Sequence, residues 1–485
     1  MLEQTPLISL NALTVRRSGV PILRDLTFQL KPGECWCVIG PTGSGKTTFL
    51  QTLAGQFAAP PGTLTRRVPT EFVSFKEQSS RFSYGSYFYQ QRYQATMSDN
   101  VEGSDAGHAA IPLLRDFLQL SDSPEATALL ERLGLLSLLD RSFIKLSNGQ
   151  TRKARIGKAL LQHPAVLLLD NPYVGLDAAF RMELTNWLGE LTNHGLTLVL
   201  VTESEDVPSF ATHVAILGEG QLRWAGPAND YRPMHSLETE PVELPILQTK
   251  PQRIDFVEAF RLQDVTVRYG DTVILDEINW VVRAGERWAL FGQNGAGKSV
   301  LLSLLYGDHP QAYANQVSVF GHRRGKSGES IWDVKRRIGF VSPELHLYFP
   351  QHLSVQQVAL TGMTDTLTPP VRVSAETEAD LISLLTYFEL AHTMSRPFGT
   401  LSAGEQRLIL LVRAFLKNAS VLLLDEPFQA IDNRHVERAK KLIDSFTDKT
   451  ILLVTHNRDE LPQSVDQLFT LSVPVNRPIQ LAKPT

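Results

Sequence analysis

The sequence predicts an α/β protein built from two tandem domains, each with a mixed sheet core and an inserted helical part. Three observations support this fold class. The two halves of the chain carry the same four motifs in the same order. In each half, an apolar run of strand length precedes a glycine-rich loop, and a helix-like run follows it. A proline-rich stretch separates the halves, so the repeat indicates a duplicated domain.

The predicted elements follow the same order in both halves. Hairpin-like segments at 12–23 and 264–275 come first. Next come the strand, loop and helix of the glycine-rich motif, then a helical region, and then alternating strands and helices. The later strands include two identical aliphatic runs, Val166–Asp170 and Val421–Asp425. Such runs are typical of strands that are buried on both faces.

Composition predicts where one domain ends and the next begins. We place the first domain at residues 1–226, a linker at 227–253 and the second domain at 254–485. Five prolines fall between residues 227 and 251, together with three glutamates. Proline interrupts helices and central strands, so this stretch is predicted to be extended rather than packed.

The overall composition excludes several classes of protein. Of 485 residues, 43% are hydrophobic and 20% are charged, which is ordinary for a soluble globular protein. With 47 Lys and Arg against 51 Asp and Glu, bulk attraction to nucleic acid is not expected. Cys35 and Cys37 are the only cysteines, which excludes a disulfide scaffold. They lie two apart on a strand, which favours buried positions over metal binding.

No part of the sequence is predicted to cross a membrane. The longest apolar stretches, such as 196–202, fall far short of the roughly 18 residues that a span requires. The N-terminus lacks a basic region followed by an apolar run, so no signal peptide is expected. We therefore expect a cytoplasmic protein. Any transport role would require a separate chain that crosses the membrane, and this protein would then bind peripherally at the inner face of that membrane.

Each half contains the pattern Gly-x4-Gly-Lys-Ser/Thr between a strand-like and a helix-like run. The glycines let backbone N–H groups converge on anionic oxygens, and the helix N-terminus adds its positive end. We therefore predict two ATP-binding loops, in which the lysines reach the β- and γ-phosphates. The loop residues are Gly40, Pro41, Thr42, Gly43, Ser44, Gly45, Lys46 and Thr47 in the first half, and Gly292, Gln293, Asn294, Gly295, Ala296, Gly297, Lys298 and Ser299 in the second.

The same pattern predicts two magnesium sites. Thr47 and Ser299 would each supply a hydroxyl to Mg²⁺. Asp170 and Asp425 end their aliphatic strands, where a carboxylate suits Mg²⁺ coordination through water. The alternative is that each aspartate only closes a turn at the end of its strand. With phosphate loops upstream, we predict ATP and Mg²⁺ as the cofactors.

A second pair of helix N-termini follows in each half. Ser147 and Ser402 each stand three residues before a glutamine or glutamate, which is the form of a capping box. A plain helix cap would explain the serines. It would not explain Gly149 and Gly404, which permit the close approach of another phosphate.

The sequence resembles that of ATP-binding cassette (ABC) proteins. The signature of these proteins is Leu-Ser-x-Gly-Gln, placed between a phosphate loop and an aliphatic strand that ends in aspartate. The resemblance covers nearly the whole chain. It implies two P-loop NTPase domains, each an ABC nucleotide-binding domain. In that family two cassettes pack head to tail, with each ATP between one phosphate loop and the other signature helix. One chain would thus form both sites as a monomer. The signature residues implied to contact ATP are Ser147, Gly149, Gln150, Ser402 and Gly404.

In the second half, the resemblance assigns a complete set of hydrolysis residues. Glu426 would position the attacking water and accept its proton. His456 corresponds to the switch histidine near the γ-phosphate, and Tyr269 to the aromatic residue that stacks on adenine. Asp432 corresponds to the aspartate that couples the two sites.

The first half departs from the family at three of these positions. Asn171, Glu203 and Arg17 replace the glutamate, the histidine and the tyrosine. An amide cannot accept a proton, and the loss of a general base costs about 10²–10⁴-fold in rate. We therefore predict that this half binds ATP but hydrolyses it poorly.

The head-to-tail arrangement would gather these departures in one composite site. The competent site would combine Lys298, Ser299, Asp425, Glu426 and His456 with Ser147 and Gly149. The impaired site would combine Lys46, Thr47 and Asp170 with Ser402 and Gly404, while Asp177 remains as the first half's coupling aspartate. Because the departures fall in a single composite site, they indicate a division of labour between the two composite sites.

The segment after the first phosphate loop leaves two questions open. Gln78 is the candidate for the family's magnesium-contacting glutamine, whereas the second half offers Glu344 or His346 at that place. Six of the twelve residues at 82–93 are aromatic. This aromatic segment is either a surface for the coupling helices of a membrane partner or the core of the helical insertion.

Three functions are compatible with these observations. The leading one is the ATPase subunit of a membrane transporter that works with a permease. The alternatives are a soluble cassette protein acting on ribosomes or nucleic acid, and a regulatory switch; the short acidic linker counts against ribosomes and nucleic acid. The segments Gly307–Gln311, Phe320–Gly325 and Gly328–Lys335 resemble tandem cassettes named for molybdate transport or photorepair, although nothing in the sequence resembles an oxyanion site.

Overall fold

The protein is described by a computed structural model, which covers residues 5–472 except 18, 58, 76–112, 121–122, 142, 144–145, 147, 174–175, 177, 203–205, 233–242, 270–271, 293–295, 327, 344 and 346–348. The described residues form two compact units, one that ends at residue 232 and one that begins at residue 243. This division falls inside the predicted linker, and the domain boundaries at 226 and 254 stay predictions.

The first unit alternates strands with helices after an initial hairpin. Its strands are β1 (Ile8–Arg17), β2 (Val20–Leu30), β3 (Cys35–Ile39), β4 (Leu64–Arg66), β5 (Thr70–Ser74), β6 (Val166–Asp170), β7 (Thr197–Val201), β8 (His213–Gly218) and β9 (Gln221–Pro227). Its helices are α1 (Lys46–Leu53), α2 (Leu114–Leu118), α3 (Pro124–Arg132), α4 (Asn148–Leu160) and α5 (Ala178–Asn193).

Two sheets form the framework of the first unit. The larger has the order β5-β6-β7-β3-β8-β9, in which β9 is antiparallel to β8 and the other neighbours are parallel. The smaller is antiparallel, with the order β2-β1-β4. Along β6, Val166 and Leu168 face one apolar cluster while Leu167 and Leu169 face another. The sheet is therefore covered on both faces, as the aliphatic run predicts.

The second unit repeats this order of elements. Its strands are β10 (Glu258–Tyr269), β11 (Thr272–Arg283), β12 (Arg287–Gly292), β13 (Gln316–Val319), β14 (His322–Arg323), β15 (Ile338–Val341), β16 (Val421–Asp425), β17 (Thr450–Val454) and β18 (Gln467–Leu471). Its helices are α6 (Lys298–Tyr306), α7 (Ile331–Arg336), α8 (Val355–Leu360), α9 (Ala375–Tyr387), α10 (Ala403–Leu416) and α11 (Asn433–Ser445).

The sheets of the second unit have a parallel core and an antiparallel partner. The core order is β15-β16-β17-β12-β18, and all its neighbouring strands are parallel. The antiparallel sheet has the order β11-β10-β13-β14. Parallel strands bring their carboxyl ends to one edge of a sheet, and ligands bind in α/β proteins at such edges. The strands ending at Asp170 and Asp425 both belong to parallel sheets of this kind.

A helical part is inserted before the aspartate strand of each unit. In the second unit, α8, α9 and α10 contribute buried residues to one apolar cluster, which also covers a face of β16 through Leu422 and Leu424. In the first unit, α2, α3 and α4 contribute buried residues to a cluster that covers a face of β6 through Leu167 and Leu169. The predicted α/β class, with a sheet core and a helical part in each half, is confirmed.

The end of the predicted linker is attached to the second unit. Residues 243–253 contain no helix or strand. Asp380, which is fully buried in α9, accepts hydrogen bonds from the backbone N–H of Gln248 at 2.6 Å and of Thr249 at 3.0 Å, and from the Thr249 hydroxyl at 2.5 Å. Asn418 donates its side-chain amide to the Thr249 carbonyl at 2.8 Å. Composition predicts the extended backbone but gives no sign of this buried acceptor.

Cys35 and Cys37 are fully buried on β3 and face the same apolar cluster, while Trp36 and Val38 face the opposite one. Burial raises the pKa of the Cys35 thiol far above its usual range and that of Cys37 to about 12. Both thiols are therefore neutral at neutral pH, whereas metal binding requires the thiolate. The expectation that they are buried strand residues is confirmed.

Replacing Asp380 with alanine would leave two backbone N–H groups and a hydroxyl without their acceptor. We expect the free energy of unfolding to fall by about 3 kcal/mol, because each buried group left without a partner costs about 1–3 kcal/mol. Urea unfolding followed by tryptophan fluorescence measures the change. Glu378→Gln, an exposed change on the same helix, is the control and should stay within about 0.5 kcal/mol. An equally small effect of the alanine variant would contradict the anchoring role.

Candidate ATP-binding and hydrolysis sites

In each unit a central strand leads through the glycine-rich loop into a helix. β3 leads to α1 and β12 leads to α6, and each helix begins at the motif lysine. The residue before the helix is a glycine in the left-handed region, with φ of 99° at Gly45 and 90° at Gly297. A Cβ at Gly297 would lie 2.8 Å from Leu275 Cδ2, so the close approach of β11 also requires glycine there.

The two motif lysines make the same contact with their loops. Lys46 Nζ donates a hydrogen bond to the carbonyl of Gly40 at 2.5 Å, and Lys298 Nζ donates to that of Gly292 at 2.6 Å. Each ammonium group is thereby held across the loop, at the N-terminus of a helix whose dipole is positive at that end. Both loops concentrate positive charge where an anionic phosphate chain would bind.

A hydroxyl and a carboxylate meet beside each loop. Thr47 donates its hydroxyl to Asp170 Oδ2 at 2.9 Å, and Ser299 donates to Asp425 Oδ2 at 3.0 Å. Both aspartates are buried. Hydroxyl and carboxylate oxygens are the ligands that Mg²⁺ prefers, and it usually binds through one or two of them plus substrate phosphates. The donor set of each unit therefore fits Mg²⁺.

The residue after the aspartate has the same backbone in both units and a different side chain. Asn171 has φ of 56° and Glu426 has φ of 45°, which are left-handed conformations. Glu426 Oε2 lies 2.9 Å from His456 Nδ1. Asn171 instead donates its amide to Asp170 Oδ1 at 3.3 Å. The second unit thus holds a carboxylate next to an imidazole at the sheet edge, and the first unit holds an amide at that position.

The Glu426–His456 pair interacts electrostatically with a second acidic residue, Glu460. The hydrogen bond to Glu426, followed by its negative charge, raises the pKa of the His456 imidazole. Glu460 accepts a hydrogen bond from the buried hydroxyl of Thr455 at 2.6 Å, and burial raises the pKa of Glu460. The sequence gives no local signal for Glu460, which lies in a short 3-10 helix, Arg458–Glu460, just after His456.

The second signature helix has the predicted cap. Ser402 Oγ accepts from the backbone N–H of Glu405 at 3.2 Å, and Glu405 Oε2 accepts from the N–H of Ser402 at 2.7 Å. Gly404 is buried in the first turn of α10. Gly149 and Gln150 lie in the first turn of α4. These positions match the predicted helix N-termini, whereas contact with ATP stays a prediction.

One arginine on each signature helix is a feature that sequence analysis missed. Arg407 donates to the carbonyl of Gln429 at 2.8 Å, which lies beyond the aspartate strand of the second unit. Arg152 donates to the carbonyls of Asn171 at 3.3 Å and Pro172 at 3.1 Å. Each arginine therefore joins its signature helix to the loop that follows the aspartate strand. The sequence feature that could have indicated these two arginines is the basic character of the signature helices.

The remaining site residues lie at the ends of their elements. Tyr269 is the last residue of β10, and Arg17 is the exposed last residue of β1. Asp432 caps α11 by accepting from the N–H of His435 at 3.1 Å. Several predicted residues and the aromatic segment fall outside the described residues, namely Gln78, 82–93, Ser147, Asp177, Glu203, Gln293, Asn294, Gly295, Glu344 and His346.

Comparison with known proteins identifies relatives over nearly the whole chain. The model of the family described as ABC transporter matches residues 23–174 and 275–429. An uncharacterised ABC transporter ATP-binding protein of Schizosaccharomyces pombe is 33% identical over 92% of this chain and 94% of its own length. The ABC transporter ATP-binding protein ModF of Escherichia coli is 33% identical over 93% of this chain and 94% of its own.

The fold is also that of solved cassette structures. A model of ribosome-bound archaeal Pelota and ABCE1 matches with a TM-score of 0.58 and 19% identity, over 95% of this chain and 76% of that one. At this level of identity the likeness concerns the fold alone. The predicted arrangement of two ABC nucleotide-binding domains is confirmed as a fold.

Replacing Glu426 with glutamine should lower the pKa of His456, because the hydrogen bond and charge of Glu426 are the main causes of its raised value. NMR titration of the imidazole measures the change, and Glu378→Gln serves as a remote control. The raised pKa means that protonated His456 stabilises the folded unit below pH about 6.5, and that this stabilisation is lost as the pH rises through the folded-state pKa. An unchanged titration in the Glu426 variant would contradict the pairing.

Proposed function

The chain belongs to the ABC transporter family of ATP-binding proteins, and on that premise we propose that both halves bind ATP and that the second half carries most of its hydrolysis. The resemblance noted from the sequence motifs is thereby confirmed at the level of the family. The observation that carries the hydrolysis proposal is the pairing of Glu426 with His456, which the first half does not repeat at Asn171.

ATP binding is supported by the equivalence of the two loops. Each has a lysine held across a left-handed glycine loop, and each has a hydroxyl bonded to a buried aspartate. In this proposal Lys46 and Lys298 neutralise the phosphate chain. Thr47 with Asp170, and Ser299 with Asp425, would hold Mg²⁺, which supplies positive charge to the phosphate oxygens.

Hydrolysis requires a group that takes a proton from the attacking water. Glu426 has this chemistry, and His456 fixes the orientation of its carboxylate through the 2.9 Å contact. Because the histidine's raised pKa favours a positively charged imidazole, it would also lower the cost of charge developing on a nearby phosphate. Glu426 therefore acts as the base, and His456 as an orienting and charge-stabilising group.

In the first half the same backbone carries Asn171, whose amide donates to Asp170. An amide can orient water by hydrogen bonding but cannot remove its proton. We assign this half a binding role in which ATP supports closure or regulation, with slow hydrolysis.

In the cell, the proposed role is that of an energy-coupling subunit that works with a membrane permease. The two relatives at 33% identity are both named as ABC transporter ATP-binding proteins, which favours this role. Within the described ranges, no helix combines the length and apolar character needed to cross a bilayer. The alternative is action on ribosomes. The archaeal ABCE1 of the matched structure is ribosome-bound, but 19% identity extends only to the fold.

Glu426→Gln should nearly abolish ATP turnover, with a loss of about 10²–10⁴-fold, because it removes the proton acceptor while keeping the side-chain shape. The matched change in the first half, Asn171→Gln, should alter turnover less than about two-fold, since it exchanges one amide for another. Phosphate release by the purified full chain, with excess Mg-ATP, measures both. Equal losses in the two variants would contradict the division of labour.

Fractionation of cells that express the tagged full chain would test the cellular role. We expect the protein in the membrane fraction, with an integral membrane protein retained on it through detergent extraction and washing at high salt. Co-sedimentation with ribosomes on a sucrose gradient, without such a partner, would contradict the transporter role and favour the alternative. The Glu426→Gln variant serves as a second sample in which slow turnover should prolong either association.

A further inference from the structure

One motif of the second half has no part in the proposed hydrolysis, namely Gly307–Gln311, which directly follows α6. Its central residue, His309, is fully buried. His309 Nε2 lies 2.7 Å from the hydroxyl of Tyr269, the residue that the resemblance to the ABC family assigns to the adenine ring. The motif therefore contacts this tyrosine across 40 positions of sequence.

The second imidazole nitrogen determines the direction of this hydrogen bond. His309 Nδ1 accepts the backbone N–H of Gln311 at 3.1 Å, so it carries no proton. The proton of the neutral imidazole therefore lies on Nε2 and is donated to the Tyr269 hydroxyl oxygen. Burial lowers the pKa of His309 to about 4, which keeps the ring neutral at physiological pH. The donor is thus present throughout the physiological range.

Gln311 holds the strand that carries the tyrosine. Its side-chain amide donates to the carbonyl of Arg268 at 2.7 Å, and its side-chain oxygen accepts the N–H of Arg268 at 3.2 Å. The Gln311 side chain thus bonds both backbone groups of Arg268, as a neighbouring strand would, at the end of β10. The tyrosine is therefore held through its backbone neighbour and through its own hydroxyl.

The same motif is attached to the phosphate-binding helix. The backbone N–H groups of Asp308 and His309 both donate to the carbonyl of Ser303 in α6, at 3.0 and 3.2 Å. Asp308 also pairs with buried Lys335 at 2.7 Å. We call residues 307–311 the clasp. The clasp joins α6, the helix that begins at Lys298, to Tyr269.

The first half provides an internal comparison. When Lys46 is aligned with Lys298, Arg17 corresponds to Tyr269 and Phe57 corresponds to His309. Phe57 has no hydrogen-bonding group and packs against an apolar cluster. Both members of the pair are therefore replaced together in the half whose adenine-stacking tyrosine is absent, as expected if the histidine serves the tyrosine.

We propose that His309 is a positioning residue for adenine recognition: its Nε2–H fixes the ring of Tyr269 relative to the phosphate loop, and so sets the affinity of the second half for the base of ATP. This inference rests on the proposed function, because it takes ATP as the ligand of the second half and Tyr269 as the contact for its adenine. It concerns the base alone, so the affinity for a bare phosphate chain should be independent of His309.

The decisive variant is His309→Phe, which installs the residue of the first half. In a Lys46→Ala background, which removes phosphate binding by the first half, equilibrium dialysis gives the Kd of the second half for ATP and for inorganic tripolyphosphate. We expect the Kd for ATP to rise about three- to ten-fold, on the scale of one lost hydrogen bond, and that for tripolyphosphate to stay unchanged. With Lys46 intact, KM for ATP should rise while kcat stays constant.

Tyr269→Phe removes only the hydroxyl and should raise the Kd for ATP by the same factor, so it decides the question if His309→Phe does not fold. The double variant should be no weaker than either single one, because both changes break the same bond. His322→Phe, at an exposed histidine of β14, is the matched control. Unchanged ATP affinity in both single variants, or an equal loss for tripolyphosphate, would overturn the proposal. Failure of the unmodified chain to bind ATP would instead overturn the proposed function.

Discussion

The hydrogen bond between the hydroxyl after the motif lysine and the aspartate at the end of a parallel strand is the contact on which the rest of each site depends. It joins α1 to β6 in the first unit and α6 to β16 in the second. In each sheet, one strand lies between the aspartate strand and the strand that leads into the phosphate loop: β7 lies between β6 and β3, and β17 lies between β16 and β12. The loop after that middle strand, which carries His456 in the second unit, is therefore placed directly beside the phosphate loop.

The sequence was sufficient for features that arise from local chemistry. Glycine loops, aliphatic strands and the cap at Ser402 each have a physical cause within a few residues, and each was found where it was predicted. The repeat then supplied the relation between the halves. Contacts between distant segments were not predictable in this way, because no local pattern relates Asp380 to residue 249 or His309 to Tyr269.

Composition can also mislead when it is the only signal. The prolines before residue 253 correctly predict backbone without helix or strand, yet a buried carboxylate and an amide hold the end of that segment in place. Extended backbone leaves its N–H groups available, and it can therefore be packed wherever acceptors meet it. An extended backbone can therefore be either packed or unattached, and the hydrogen-bond partners of its N–H groups decide which.

Asn171 and Glu426 share a left-handed backbone conformation, and the free-energy cost of this conformation differs between the two residue types. Asparagine enters this region with less difficulty than other residues that have a Cβ, whereas a long acidic side chain incurs a penalty of roughly 1–2 kcal/mol. The second unit therefore maintains a conformational strain at Glu426, the position of the proposed base. The first unit carries asparagine at the same backbone position, where the left-handed conformation costs less, so the local backbone is less strained there than in the second unit.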